Sequence, residues 1–136
     1  MSAPTPAYLL DTGWVIRHLR GQKSYSDNIA ALEPEGLAVS IITVAELYEG
    51  VSLAKDALRA AADLADLLTT LKVLPVDEDT CRMFGQISST LRKKGHHPGD
   101  FDVMIAATAR QHGLTVLTTD ADDFKRFTSL KIITKP

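Results

Sequence analysis

The sequence predicts an α/β fold in three layers, with a central, mainly parallel sheet of four to five strands and helices on both faces. Three observations predict it. Short β-prone runs such as Tyr8–Leu10 and Leu114–Leu117 have no room for apolar–polar alternation, the pattern of strands buried on both faces. Longer helical segments separate these runs in regular alternation, which favours a layered sheet over a bundle or a sandwich. The stretch Gly99–Asp120 reads as an acidic turn, one amphipathic helix, a tight turn and a strand, the αβ unit from which parallel sheets are built.

The elements follow in order. Residues 1–6 hold two prolines and read as a flexible tail. Tyr8–Leu10 is the first strand, ended by Asp11, and Thr12–Arg20 is a helix closed by Gly21. Ser24 or Ser26 caps a second helix that runs to Leu32 and stops before Pro34 and Gly36. Leu37–Ile42 is the second strand, and Thr43 opens a helix toward Gly50. From Leu53 to Leu71 the chain is rich in Ala and Leu and strongly helical, with an apolar stripe at Leu53, Ala57, Leu64, Leu67, Leu68 and Leu71. Val73–Val76 is a third strand, and its Pro75 places it at an edge or a strand end. Asp77 or Asp79 caps a helix to about Lys94, and a polar loop leads to the helix carrying Asp102, Ile105, Ala106 and Ala109 on one face. Gly113 sits where a left-handed C-cap is wanted, and Lys131–Thr134 supplies a last strand.

A length of 136 residues bounds residues 1–136 to a single domain with one sizeable core. The net charge of −2 favours neither a nucleic-acid nor a membrane partner by itself. A lone Cys81 excludes an internal disulfide and clustered thiolate metal sites, and fits a reducing compartment. With no basic leader and no membrane-length apolar run, the expected location is the cytoplasm, with no membrane partner.

Four acids stand at the strand–helix junctions: Asp11 after strand one, Glu46 after strand two, and Asp102 and Asp120 around strand four. In a parallel sheet, ligands bind beyond the carboxyl ends of the strands. Each acid also reads as a cap. Asp11, Asp102 (or Asp100) and Asp120 can each open a helix, and Thr43-Val-Ala-Glu46 fits a capping box. Gathered on one edge they repel each other, a cost that a cation removes. Carboxylate oxygens without His or Cys suit Mg²⁺ or Mn²⁺, ions used in phosphodiester hydrolysis.

The ordered segments Leu-Leu-Asp11-Thr-Gly, Ser40-Ile-Ile-Thr43-Val-Ala-Glu46-Leu-Tyr-Glu-Gly50, Asp102-Val-Met-Ile-Ala-Ala-Thr-Ala and Leu-Thr118-Thr-Asp120 resemble the motifs of PIN-domain ribonucleases, above all the VapC-type toxins of toxin–antitoxin pairs. The resemblance covers nearly the whole chain. It implies a PIN-like fold and a Mg²⁺-dependent endoribonuclease (Mn²⁺ as substitute). Asp11, Glu46, Asp102 and Asp120 would serve as catalytic and metal-binding acids. Thr43 and Thr118 match supporting threonines, and Thr12 and Ser40 lie inside the same motifs. Asp100, Asp122 and Asp123 crowd the motif acids, and Asp100 and Asp123 are candidate auxiliary ligands. The family usually places Asn two residues after the first Asp, where this chain has Gly13, so a side-chain hydrogen bond that would orient the site is missing. The resemblance also implies a homodimer and a cognate antitoxin that occupies the acidic pocket.

A polyanionic RNA needs cations around an acidic centre. Arg17, Arg20 and Lys23 follow strand one, and Arg92, Lys93, Lys94, His96 and His97 precede Asp100. Of these Arg17, Arg20, Lys93, Lys94, His96 and His97 are the RNA-binding candidates, against the reading that they are solvated helix ends. Trp14 and Phe101 read as base-stacking or core residues. The stripe from Leu53 reads as core or, with helix Thr12–Arg20, as a dimer face. A haloacid-dehalogenase-type phosphotransferase would need an acid at position 13, and no dinucleotide or P-loop glycine motif is present. The alternatives are a degenerate PIN domain that binds RNA or a partner protein without cleaving, and a nuclease directed at DNA.

Overall fold

A computed structural model describes residues 5–136, so the first four residues of the expected tail lie outside the described residues. The element order is β1 (Tyr8–Leu10), α1 (Thr12–Leu19), α2 (Lys23–Leu32), a 3₁₀ turn (Glu33–Glu35), β2 (Leu37–Ser40), α3 (Ile41–Leu53), α4 (Ala57–Leu68), β3 (Lys72–Leu74), α5 (Glu78–Lys93), α6 (Asp100–His112), β4 (Thr115–Leu117), α7 (Ala121–Phe124) and β5 (Ile132–Ile133). The five strands form one sheet in the order β3-β2-β1-β4-β5, and every pairing is parallel.

Period-two alternation divides the core between the two faces. Leu10, Val39 and Leu117 pack with Trp14, Val15, Val44, Leu47, Leu64 and Leu67, which places α1 to α4 on one face. Leu9, Ala38 and Val116 pack with Ile87, Leu91, Ile105, Ala109 and Phe124, which places α5 to α7 on the other. The expected three layers are therefore present. Trp14 is fully buried, with its indole N–H donating to Asn28 Oδ1 at 3.2 Å, so it is core and offers no stacking surface. Phe101 is 56% exposed.

Several boundaries differ from the sequence reading, each for a local reason. β2 stops at Ser40, whose hydroxyl accepts from the Ile42 amide, so α3 starts at Ile41 and not at Thr43. The segment expected to be one helix from Leu53 to Leu71 breaks at Ala54–Asp56, where Asp56 caps α4 by accepting from the Arg59 amide at 3.1 Å. The apolar stripe divides at that break: Leu64, Leu67 and Leu71 are buried, whereas Leu53 is 80% exposed. α2 begins at Lys23, ahead of both candidate serines. β3 is an edge strand that ends before Pro75, as the missing N–H of proline requires. Asp77, not Asp79, caps α5. Gly113 ends α6 at φ 67°, ψ 35°, the left-handed conformation expected of it.

Strand order supplies the geometry that matters for a site. From β1 the chain moves outward through β2 to the β3 edge, then returns to the other side of β1 with β4. The direction of winding reverses between β1 and β4, and a crevice opens at their carboxyl ends.

Candidate active site

Asp11 leaves β1 at this crevice and is almost wholly buried, with 6% of its surface exposed. One carboxylate oxygen accepts from the Thr12 amide at 2.8 Å, as a helix cap. The other accepts from Thr118 Oγ1 at 2.7 Å. Thr118 follows β4, and the Asp120 amide in turn donates to its hydroxyl at 2.9 Å. This one buried threonine thus ties together the ends of the two central strands. Burial raises the pKa of Asp11, with the bonds from Thr118 and Thr12 opposing the shift and the charges of Glu46 and Asp120 adding to it.

Glu46 comes from the second turn of α3. Its Oε1 accepts from Thr12 Oγ1 at 2.7 Å, and the same hydroxyl lies 3.1 Å from Thr43 Oγ1. The expected capping box does not form: Ser40 caps the helix, and Thr43 is fully buried. Thr43 and Thr12 therefore act as a chain of hydroxyls that sets where Glu46 points, on a helix whose start Ser40 caps. Asp102, on the first turn of α6, has its carboxyl pushed up from 3.8 to about 7, first by burial and then by the charges of Asp11, Asp120, Asp123 and Glu46. That set of neighbours places all five acids in one electrostatic cluster.

Asp120 caps α7 through the Asp123 amide at 3.2 Å, and burial raises its pKa. Because α7 starts there, Asp123 falls one turn on and returns to the site. Carboxylate oxygens of Asp102, Asp120 and Asp123 lie within 4.8 Å of one another, the one such grouping among the described residues. The three-residue spacing from Asp120 to Asp123 was the available signal for this, once Asp120 is read as a helix cap.

Other candidates sit elsewhere. Asp100 is exposed and turns to Arg92 Nη2 at 3.3 Å, away from the grouped carboxylates. His97 is built into the fold: its side chain is 12% exposed, Nδ1 accepts from the Gly99 amide at 3.2 Å and Nε2 donates to Ser88 Oγ at 2.9 Å. Both ring nitrogens are used, so His97 has none to offer a ligand. His96 and Lys93 are exposed. Arg17 bonds Gln22 and lies over the Tyr25 ring, while Arg20 borders an apolar cleft between α1, α3 and α4. Lys23 pairs with Asp27. Among the described residues no helix is long and apolar enough to cross a membrane.

The donor set fits a hard divalent cation. It is all oxygen, and its carboxylates crowd closely enough that burial and their mutual repulsion push Asp102 up to about 7, a cost that a bound cation would relieve.

Known proteins resemble this chain over most of its length. The family model for the PIN domain matches residues 8–130. Ribonuclease VapC2 of Haemophilus influenzae is 33% identical over 129 residues, spanning 91% of this chain and 94% of the relative. Ribonuclease VapC5 of Mycobacterium tuberculosis is 35% identical over 126 residues, spanning 91% and 90%. Among solved structures, VapBC2 from Rickettsia felis bound to a promoter DNA fragment aligns with a TM-score of 0.88 at 27% identity, covering 93% of this chain and 97% of that one. With its motifs, its sheet order and its cluster of carboxylates accounted for, the chain belongs to the PIN-domain family and, within it, to the VapC-type toxins.

Proposed function

We propose that this protein is a metal-dependent endoribonuclease that hydrolyses RNA phosphodiester bonds as the toxin of a toxin–antitoxin pair. The observation that carries the reading is the convergence of Asp11, Glu46, Asp102, Asp120 and Asp123, with Asp102 held up to about 7. These acids would hold Mg²⁺, or Mn²⁺ in its place, and such an ion would supply charge neutralisation at the phosphate and a lowered pKa for a bound water, making hydroxide available near neutral pH. The protein's own contribution is orientation. Thr118 and the Thr12 amide fix both oxygens of Asp11, and the Thr12 hydroxyl fixes Glu46. Asp102 and Asp120 approach from α6 and α7, so no single element can move the whole set.

The antitoxin would cover this edge and the cleft beside it. Ile16, Leu19, Leu47, Val51 and Leu53 line that cleft of about 460 Å³, and Glu46 stands in its wall. An apolar segment seated there would shield Leu53 and block the approach to the acids. Self-association into a homodimer belongs to the same reading.

The test is cleavage of tRNA, messenger RNA and single-stranded DNA with Mg²⁺ and then EDTA, using the parent, Asp11→Asn and Asp102→Asn. RNA should be cut only with the metal. Both variants should lose more than the roughly 10–100-fold that follows loss of a residue merely supporting a ligand. An Asp11→Asn protein that cuts at the parent rate overturns the assignment. A folded, antitoxin-free parent that binds RNA and cuts none of the panel points instead to a binding module.

A further inference from the structure

We infer that a second, basic cleft beside the acids is a subsite for a backbone phosphate of the nucleic-acid strand. It is a cavity of about 260 Å³ between the second half of α5, α6 and the segment following α7. Lys94, Arg110 and Arg126 line it and no carboxylate does. Both guanidinium groups are held in place by backbone carbonyls. Arg126 Nη1 donates to His96 O at 3.2 Å, and Arg110 Nη2 donates to Thr128 O. An arginine has five N–H donors, so each keeps several for an anion. Among the described residues no carboxylate lies within ion-pair distance of Lys94 or Arg110.

Position joins this cleft to the chemistry. Arg126 Nη2 lies 3.7 Å from Asp123 Oδ1, and Asp123 is one of the grouped carboxylates. A single side chain therefore spans from the acidic cluster to the basic cavity. Charge supplies the need. The chain carries a net −2 and gathers its acids where the strand must come, so a polyanion is held only if cations flank that point. Fixed arginine forks suit the paired oxygens of a phosphodiester better than a single carboxylate on a flexible side chain. Lys94 was among the cations the sequence offered; Arg110 and Arg126 were not, because the fold alone brings them beside it.

The ligand named here rests on the nuclease reading, and the experiment separates the two. Fluorescence anisotropy of a labelled single-stranded RNA would be followed on the non-cleaving Asp11→Asn protein between about 50 and 200 mM salt. Lys94→Gln and Arg110→Gln would be added to that background, with Arg59→Gln on α4 as the control. Each cleft substitution should weaken binding several-fold and lower the salt slope by about 0.7, the single-strand value per phosphate contact. The control should do neither. Lys94→Gln breaks no hydrogen bond in the fold, and Arg110→Lys should restore part of the slope by returning charge without the fork.

Cleft variants with parent affinity and slope overturn the subsite, even if the parent cuts RNA and the nuclease reading stands. Absence of RNA binding at the lowest salt overturns it too. Loss of antitoxin binding with RNA binding intact would give the cleft to a protein partner instead. If the parent cuts no RNA yet the cleft variants bind it more weakly, the subsite stands and the nuclease reading falls.

Discussion

Gly13 occupies the second position of α1, two residues beyond Asp11, and the space beside it is already filled. A Cβ built there would lie 2.5 Å from Thr119 Oγ1. An Asn at this point would therefore meet the Thr119 hydroxyl. Glycine and Thr119 form a matched pair, and any side chain at 13 obliges Thr119 to turn about χ1. In a helix, Gly→Ala alone would gain about 1 kcal/mol, so the steric penalty is set against a real benefit. The expected result is a coupling of at least about 0.5 kcal/mol in a double-mutant cycle of Gly13→Ala and Thr119→Ala, read from urea unfolding. Additivity within about 0.3 kcal/mol would remove the pairing. Residues 13 and 119 are far apart in sequence, which is why the sequence registers only a missing hydrogen bond here and not the group that fills its place.

At the scale of elements, α3 illustrates how a correct residue can be given the wrong local role. Thr43-x-x-Glu46 has the spacing of a capping box, yet the helix is capped by fully buried Ser40. The cause is the sheet: Ser40 is the last residue of β2 paired with β3, opposite Leu74, and the chain must turn into the helix there. Thr43 and Glu46 are thereby released for the hydroxyl chain from Thr12. Ser40→Ala should cost about 1 kcal/mol in urea unfolding, the usual loss for an N-cap hydroxyl, and should lower cleavage by loosening Glu46. An unchanged unfolding midpoint would assign the cap elsewhere. α4 follows the same logic. Its Ala- and Leu-rich composition is helical throughout, but Asp56 offers a cap and the chain takes it.

For the whole molecule, the clustered carboxylates make stability depend on pH and on metal. Asp102 titrates near 7 in the folded state against 3.8 when free, and the pKa values of Asp11 and Asp120 are also raised. Between those limits the folded protein keeps protons that the unfolded chain has released. Stability contributed by these groups is therefore fully present below about pH 4 and is lost as pH rises through about 7. Asp77 works in the opposite sense, since the Thr80 amide lowers its pKa, but only below its ordinary 3.8. In EDTA the melting temperature should fall from pH 5 to pH 8. Mg²⁺ should raise it at both values and more at pH 8, where no proton competes for the oxygens. Calorimetry that finds a flat profile, or an equal Mg²⁺ effect at the two pH values, would contradict the cluster as described.

The sequence by itself determined the layered fold, the order of elements and the acids at the strand ends. Those features are local: periodicity, caps and the position of an acid just beyond a β-prone run are written within a dozen residues of each other. Only the tertiary structure decided which neighbours each acid keeps. The return of β4 beside β1 set Thr118 between Asp11 and Asp120, and the short α7 brought in Asp123. Packing of α5 on α6 took both nitrogens of His97 out of use and set Lys94 beside Arg110 and Arg126. Such contacts depend on the direction of side chains from elements remote in sequence, and no spacing rule encodes that direction.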